Sequence, residues 1–190
     1  MTILHKSFGT LVLMGALSVS AGAISFTNIT IVGSPLGSTA FLGSDGISFV
    51  LPDHYVVGTG TRLVTVGYRV TATSGQYLSS VSLVPNGLLQ NGSVRIDANH
   101  VNGGTQTFSI VQSVGGTTTA INNGGGSFTG QNGLFDVTTT IDLAATSGVA
   151  KVSIYNAIYA EQPVPEPASM VALLVGSAGF LARRRARRSS

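Results

Sequence analysis

Few side chains in this chain are suited to chemistry. Between Ile24 and Val164 there are two histidines, His54 and His100, and six acidic residues, Asp45, Asp53, Asp97, Asp136, Asp142 and Glu161. A metal site would have to be drawn from Asp53, His54, Asp97 and His100, because imidazole and carboxylate ligands suit first-row divalent cations. The spacing does not require one. Adjacent residues on a strand point to opposite faces, and Asp97 and His100 flank a turn-like Ala98-Asn99. The plainer reading is solvated loop residues, and the expectation is no metal. Asp136 and Asp142 share a strand parity, but six residues of strand separate them by ~20 Å. That is too far for the paired carboxylates of a glycosidase. Serine is abundant, yet no nucleophile elbow opens a helix. No phosphate loop or dinucleotide fingerprint occurs. The absence of cysteine excludes thiol catalysis, disulfides and cysteine-ligated metals. The expectation is a non-enzyme with no catalytic residue and no cofactor.

Binding is the remaining chemistry. There is no Trp, so sugar stacking would fall to Tyr55, Tyr68, Tyr77, Tyr155 and Tyr159. Tyr155 and Tyr159 share a parity with Lys151 and Ser153, which makes them the candidate contacts of a shallow glycan platform. The plainer reading packs both rings against a core edge or a second sheet. Asn28-Ile29-Thr30 and Asn91-Gly92-Ser93 match the glycosylation acceptor pattern, a pattern common by chance.

The elements that must position these residues are strands. From Ile24 to about Ala160 apolar residues recur at period 2, not at helical period. Val64, Val66, Tyr68 and Val70 alternate with polar partners, as do Phe135, Val137, Thr139, Ile141 and Leu143. Val152, Ile154 and Ile158 read as one face opposite Lys151, Ser153 and Tyr155. Ile24 and Phe26 are out of phase with Ile29 and Ile31, which predicts a bulge near Asn28. Glycine and asparagine clusters predict turns, among them Pro85-Asn86-Gly87, Asn91-Gly92, 122–126 and Asn132-Gly133. The resulting strands are 24–32, 38–42, 46–51, 54–58, 62–73, 77–84, 93–98, 106–113, 117–121, 134–143 and 149–159. Many short strands with regular turns predict an all-β, two-sheet sandwich, jelly-roll-like, with 62–73 and 134–143 central. No strong internal repeat is present.

The two ends differ from this region. The start reads as a secretory signal peptide over residues 1–23. His5 and Lys6 form the charged part, 11–17 the apolar part, and Ala21-Gly22-Ala23 the cleavage site, with Ala21 and Ala23 as its small residues. An uncleaved N-terminal anchor is the alternative. After a linker over 161–169, residues 170–182 are apolar and uncharged. As a helix they span roughly 20 Å, short of the ~30 Å hydrocarbon core. Arg183, Arg184, Arg185, Arg187 and Arg188 follow, a basic stop cluster favouring the cytoplasmic side. These arginines also mislead the overall charge of +3. The region from Ile24 to Val164 carries four basic against six acidic side chains, which gives no support for nucleic-acid binding.

Val164, Pro165, Glu166, Pro167, Ala168 and Ser169, then an apolar run, then terminal arginines: this order resembles the PEP-CTERM sorting signal of exported bacterial proteins. The resemblance covers about the last 27 residues. It implies an exosortase-type processing enzyme as partner, with the catalytic residues on that enzyme. It also implies general secretion, transient membrane tethering through 170–182, and delivery to the cell surface or an exopolysaccharide matrix. Pro165, Glu166 and Pro167 carry over as the recognition motif. For the region before the tail it implies nothing specific. The expected function is an exported surface or matrix protein with a structural, non-catalytic domain over 24–160; the alternative is a carbohydrate-binding or adhesive module acting on exopolysaccharide.

Overall fold

The computed structural model describes residues 23–33 and 37–165. The signal peptide through Gly22, with Ala21, lies outside the described residues, as do the motif from Glu166 onward, the apolar run 170–182 and the arginine cluster. No helix among the described residues is long and apolar enough to cross a membrane.

Nine strands make up the described chain: β1 (Ser25–Val32), β2 (Thr39–Leu42), β3 (Gly46–Val50), β4 (Tyr55–Thr71), β5 (Gln76–Val101), β6 (Thr105–Val114), β7 (Thr119–Ala120), β8 (Gly124–Asn132) and β9 (Leu134–Pro163). All pairings are antiparallel. The expected sandwich is present, built as one hydrogen-bonded sheet folded over itself. Residues 134–145 of β9 pair with β4 on one side and with 92–101 of β5 on the other. Residues 149–163 of β9 pair with β3 and the start of β4 on one side, and with 76–90 of β5 on the other. The first layer is therefore β6-β5-β9-β4-β1. The second is β7 and β8, then β5-β9-β3-β2. Long strands that switch sheets through bulges are how a sandwich turns its corners.

The two strands expected to be central are present, and they pair with each other: Arg62↔Leu143 through Thr71↔Leu134 run in unbroken register. The Asn28 bulge is present too, with the register shifting between Thr27 and Thr30 and Asn28 at φ 55°. Several predicted turns are instead bulges inside strands. Pro85-Asn86-Gly87 sits within β5, at the gap between its β7 and β8 pairings, and Ser153 is the extra residue on β9 opposite Asn86-Gly87. Asn91, at φ 47°, faces residues 146–148. A Cβ on Gly87 or Gly148 would overlap the carbonyl of Lys151 or Gln90, so glycine marks close backbone approach here, not chain reversal.

β8 was not expected, because GGGSFTGQN reads as loop. It is a strand because its glycines let it lie against β6. A Cβ on Gly124 would fall 2.5 Å from Ile110, and one on Gly126 2.7 Å from Phe108. Two glutamines of β6 lace this side. The Gln106 amide accepts from Thr129 N and donates to Thr129 O, at 2.7 and 3.3 Å. Gln112 accepts from Asn122 N and donates to Ala120 O, at 2.8 and 3.0 Å. Each side chain stands in for a peptide group where no strand pairs directly.

The core lies between the layers. Phe49 meets Tyr68 at 5.7 Å between ring centroids, Phe26 meets Tyr159 at 6.0 Å, and Phe128 stacks on Phe135 at 4.5 Å. Each pair joins one layer to the other.

Candidate functional site: the Tyr77 groove and the root of the tail

The bulge at Ser153 resets the alternation of β9. At Ala150 and Val152 the even residues face inward; from Tyr155 the odd ones do. Tyr155 and Tyr159 are consequently 0% and 3% exposed, while Ile158 is 40% exposed. This agrees with the plainer reading, core packing, and removes the glycan platform over Tyr155 and Tyr159, since neither ring offers a face to a ligand. Ile158, read as inward, faces out.

The buried tyrosines form a polar strand of their own. Tyr68 OH and Tyr159 OH are 2.7 Å apart, and Tyr159 OH is 3.0 Å from His100 Nε2. His100 Nδ1 lies 3.3 Å from Ala98 O. A carbonyl only accepts, so Nδ1 carries the proton and Nε2 accepts from Tyr159. Tyr68 then donates to Tyr159, and every hydroxyl in the relay has a role. Thr139 and Tyr155 pair separately at 3.3 Å. Burial pushes the Tyr68 and Tyr159 hydroxyls well above the usual phenol range. His100 is boxed by Phe108, Phe128, Phe135 and Tyr159 at 5.0–5.9 Å. That burial lowers its pKa to about 4.

Both histidines were expected in solvated loops, and both are fully buried. His100 shares the parity of Val94, Ile96 and Ala98, a signal hidden by ending the strand at 98. His54 has neither ring nitrogen hydrogen-bonded. Burial first, and then the Arg62 charge, lowers its pKa to about 4. The nearby Ile141 backbone partly offsets this without reaching hydrogen-bonding geometry. The Asp53, His54, Asp97 and His100 set is not brought together: among the described residues no group of three or more His, Asp or Glu could hold a metal. Asp97 accepts instead from Arg95 and Ser109, and Arg95 holds its carboxyl below the usual range. Asp136 is held down likewise by Arg69, through a two-pronged pair at 2.7 and 2.8 Å.

Tyr77 has the opposite fate. It is only half-buried and lines an open groove of about 360 Å³ with Ser79, Ser127, Gly130, Gln131 and Gln162, over the buried Phe128. The groove exists because register slips here. Leu78 pairs with Asn132 and Ser80 with Ser127, so residues 128–131 of β8 arch out opposite Ser79 alone. Tyr77 OH donates to Gln162 Oε1 at 2.6 Å.

The same corner is the root of the tail. Residues 161–163, expected in a linker, are the last rungs of β9, pairing with Leu78, Tyr77 and Gln76. The Glu161 carboxylate takes Thr73 N and Thr73 Oγ1, and Val164 N donates to Gly75 O at 3.0 Å. Ordered structure therefore reaches Val164, inside the predicted motif.

Residues 163–187 match the family model of the PEP-CTERM protein-sorting motif, so the tail carries that signal. No curated protein matches the chain. Among solved structures, TmCBM61 in complex with beta-1,4-galactotriose resembles it with a TM-score of 0.32 and 8% identity, over 76% of this chain and 90% of that one. The enzymatically active domain of bacteriophage CBA120 tailspike protein 4 gives 0.32 and 12%, over 76% and 21%. A family 11 carbohydrate-binding module of a Clostridium thermocellum cellulosomal cellulase gives 0.23 and 11%, over 82% and 95%. Likeness at this level carries no functional inference.

Proposed function

We propose that the chain is an exported bacterial cell-surface or extracellular-matrix protein with a structural, non-catalytic sandwich. Residues 1–23 direct it to the general secretion machinery. Residues 170–182 and the five arginines hold it in the membrane until an exosortase-type enzyme acts at Val164 to Ser169. The observation that carries this reading is the sorting motif itself, beginning at residue 163 where β9 ends. The signal begins where β9 ends, so the sandwich stands close to the bilayer while tethered. A cysteine-free core that ties both layers together suits a protein that must persist outside the cell.

Intact mass of the protein recovered from its host tests this. The expected species starts at Ile24 and ends between Pro165 and Ala168. A species retaining 170–190 would make it a permanently anchored protein and remove the processing step.

A second reading, a carbohydrate-binding module with the same delivery, is favoured by one observation: the open groove beside a half-buried tyrosine.

A further inference from the structure

We propose that the Tyr77 groove is a binding subsite for an uncharged polysaccharide. This deepens the carbohydrate-binding reading and rests on it. The lining decides the ligand class. Ser79, Ser127, Gln131 and Gln162 present hydroxyls and amides, and among the described residues no charged side chain lines the groove. Neutral hydroxyl and amide groups match sugar hydroxyls as both donors and acceptors. Nothing there compensates the carboxylate of a uronic acid or the charge of a phosphate.

Shape narrows the class further. The groove is open and shallow, so it suits a chain lying across it, not a small molecule to be enclosed. Tyr77 supplies amphipathic area with few rotors. Its hydroxyl, tied to Gln162 Oε1, fixes the ring and leaves the Gln162 amide N–H groups for a ligand. The opposite rim is set in advance. Thr129 is held at both N and O by the Gln106 amide. Asn132 Nδ2 donates to Thr129 O at 3.0 Å, and Asn102 Nδ2 donates to Asn132 Oδ1 at 3.2 Å. Gly130, at φ 81°, leaves its backbone uncovered at the rim. A preset rim lowers the ordering cost of binding. The site also lies three residues before Pro165, so a bound polymer would be held at the root of the sorting tail.

Affinity electrophoresis of the host-recovered protein through gels containing dextran, a β-1,3-glucan, a β-1,4-galactan or alginate tests the assignment. Retardation by at least one neutral polymer is expected, with none by alginate. Tyr77→Ala and Gln162→Ala should each weaken it tenfold or more. Ser127→Trp should abolish it by filling the groove with Tyr77 in place. Tyr55→Ala, elsewhere on the surface, should retain it, and thermal melting of each variant reports folding. Neutral-polymer binding that survives all three groove variants overturns the site but keeps the carbohydrate-binding reading. Alginate binding as strong as neutral binding overturns the ligand class. A folded protein that binds none of the four overturns both.

Discussion

The two layers of the sandwich share two strands yet differ in regularity. In the first, β4 and β9 run ten residues in register, and several outward rows are polar, beside the exposed Val32, Leu63, Val101 and Val111. One such row is Thr30, Gly67, Thr138, Asn99 and Thr107; Arg69 with Asp136 closes another. In the second layer, bulges at Ser79, Ser153 and 146–148 break the ladder. Its outer face carries Phe41, 60% exposed, together with Val50, Ile154 and Ile158. The groove and the root of the tail both belong to this irregular layer. Regular alternation builds a wall, whereas each register slip re-aims side chains and opens space between strands. The proposed binding groove and the root of the sorting tail gather where the ladder is broken.

The largest break in this contrast would come from removing what couples the layers. Tyr159→Ala should lower unfolding free energy by about 3–5 kcal/mol in urea denaturation, through lost burial and a cavity beside Phe26 and Phe128. Tyr159→Phe should lower it by about 1–3 kcal/mol, because His100 Nε2 loses its buried partner. Equal effects of the two changes would mean that the polar relay, not packing, joins the layers, and no effect of Tyr159→Phe would mean the reverse.

Acid comes next. His54 and His100 have folded pKa values of about 4, below the ordinary 6.5. The unfolded chain therefore takes up protons first. The histidine contribution should be full above pH 6.5, fall as pH drops toward 4, and level off below, where the lowered carboxyls of Asp97 and Asp136 add a further loss. The ceiling is about 3 kcal/mol per histidine. Tm measured against pH checks this, and His54→Leu should flatten the slope while leaving neutral stability unchanged or higher, since it removes an orphaned buried polar group. An unchanged slope would show that His54 is not neutral and buried in solution.

Glycine substitutions sharpen the contrast between layers. Gly126→Ala must displace Phe108 and should cost about 1–3 kcal/mol. Gly104→Ala, with nothing within 4 Å, should leave Tm unchanged within error. A small effect is expected from Asp136→Asn on the polar wall, where the ion pair is exposed and salt-screened. Its Tm shift should vanish in high salt.

Alternation of small and large residues determined much by itself. Val64 to Val70 and Phe135 to Leu143 declared two strands, each with one buried face, because a period of two admits only one inward set. Two phases within 24–31 declared the Asn28 bulge. The tail was legible because a proline-flanked Glu, an apolar run and terminal arginines act through local chemistry, without a fold. Tertiary structure decided the rest. A glycine allows a turn, a bulge or a close strand contact, and only the neighbour selects among them. Gly87 and Gly148 face carbonyls, Gly126 faces a ring, and GGGSFTGQN becomes a strand by pairing with β5, its glycines leaving room for Phe108 and Ile110. The bulge at Ser153 is set by β5 across the ladder, so the parity of Tyr155 and Tyr159 could not be counted along the chain. The Tyr77 groove arises from a slip between β5 and β8, a property of two strands together and of neither alone.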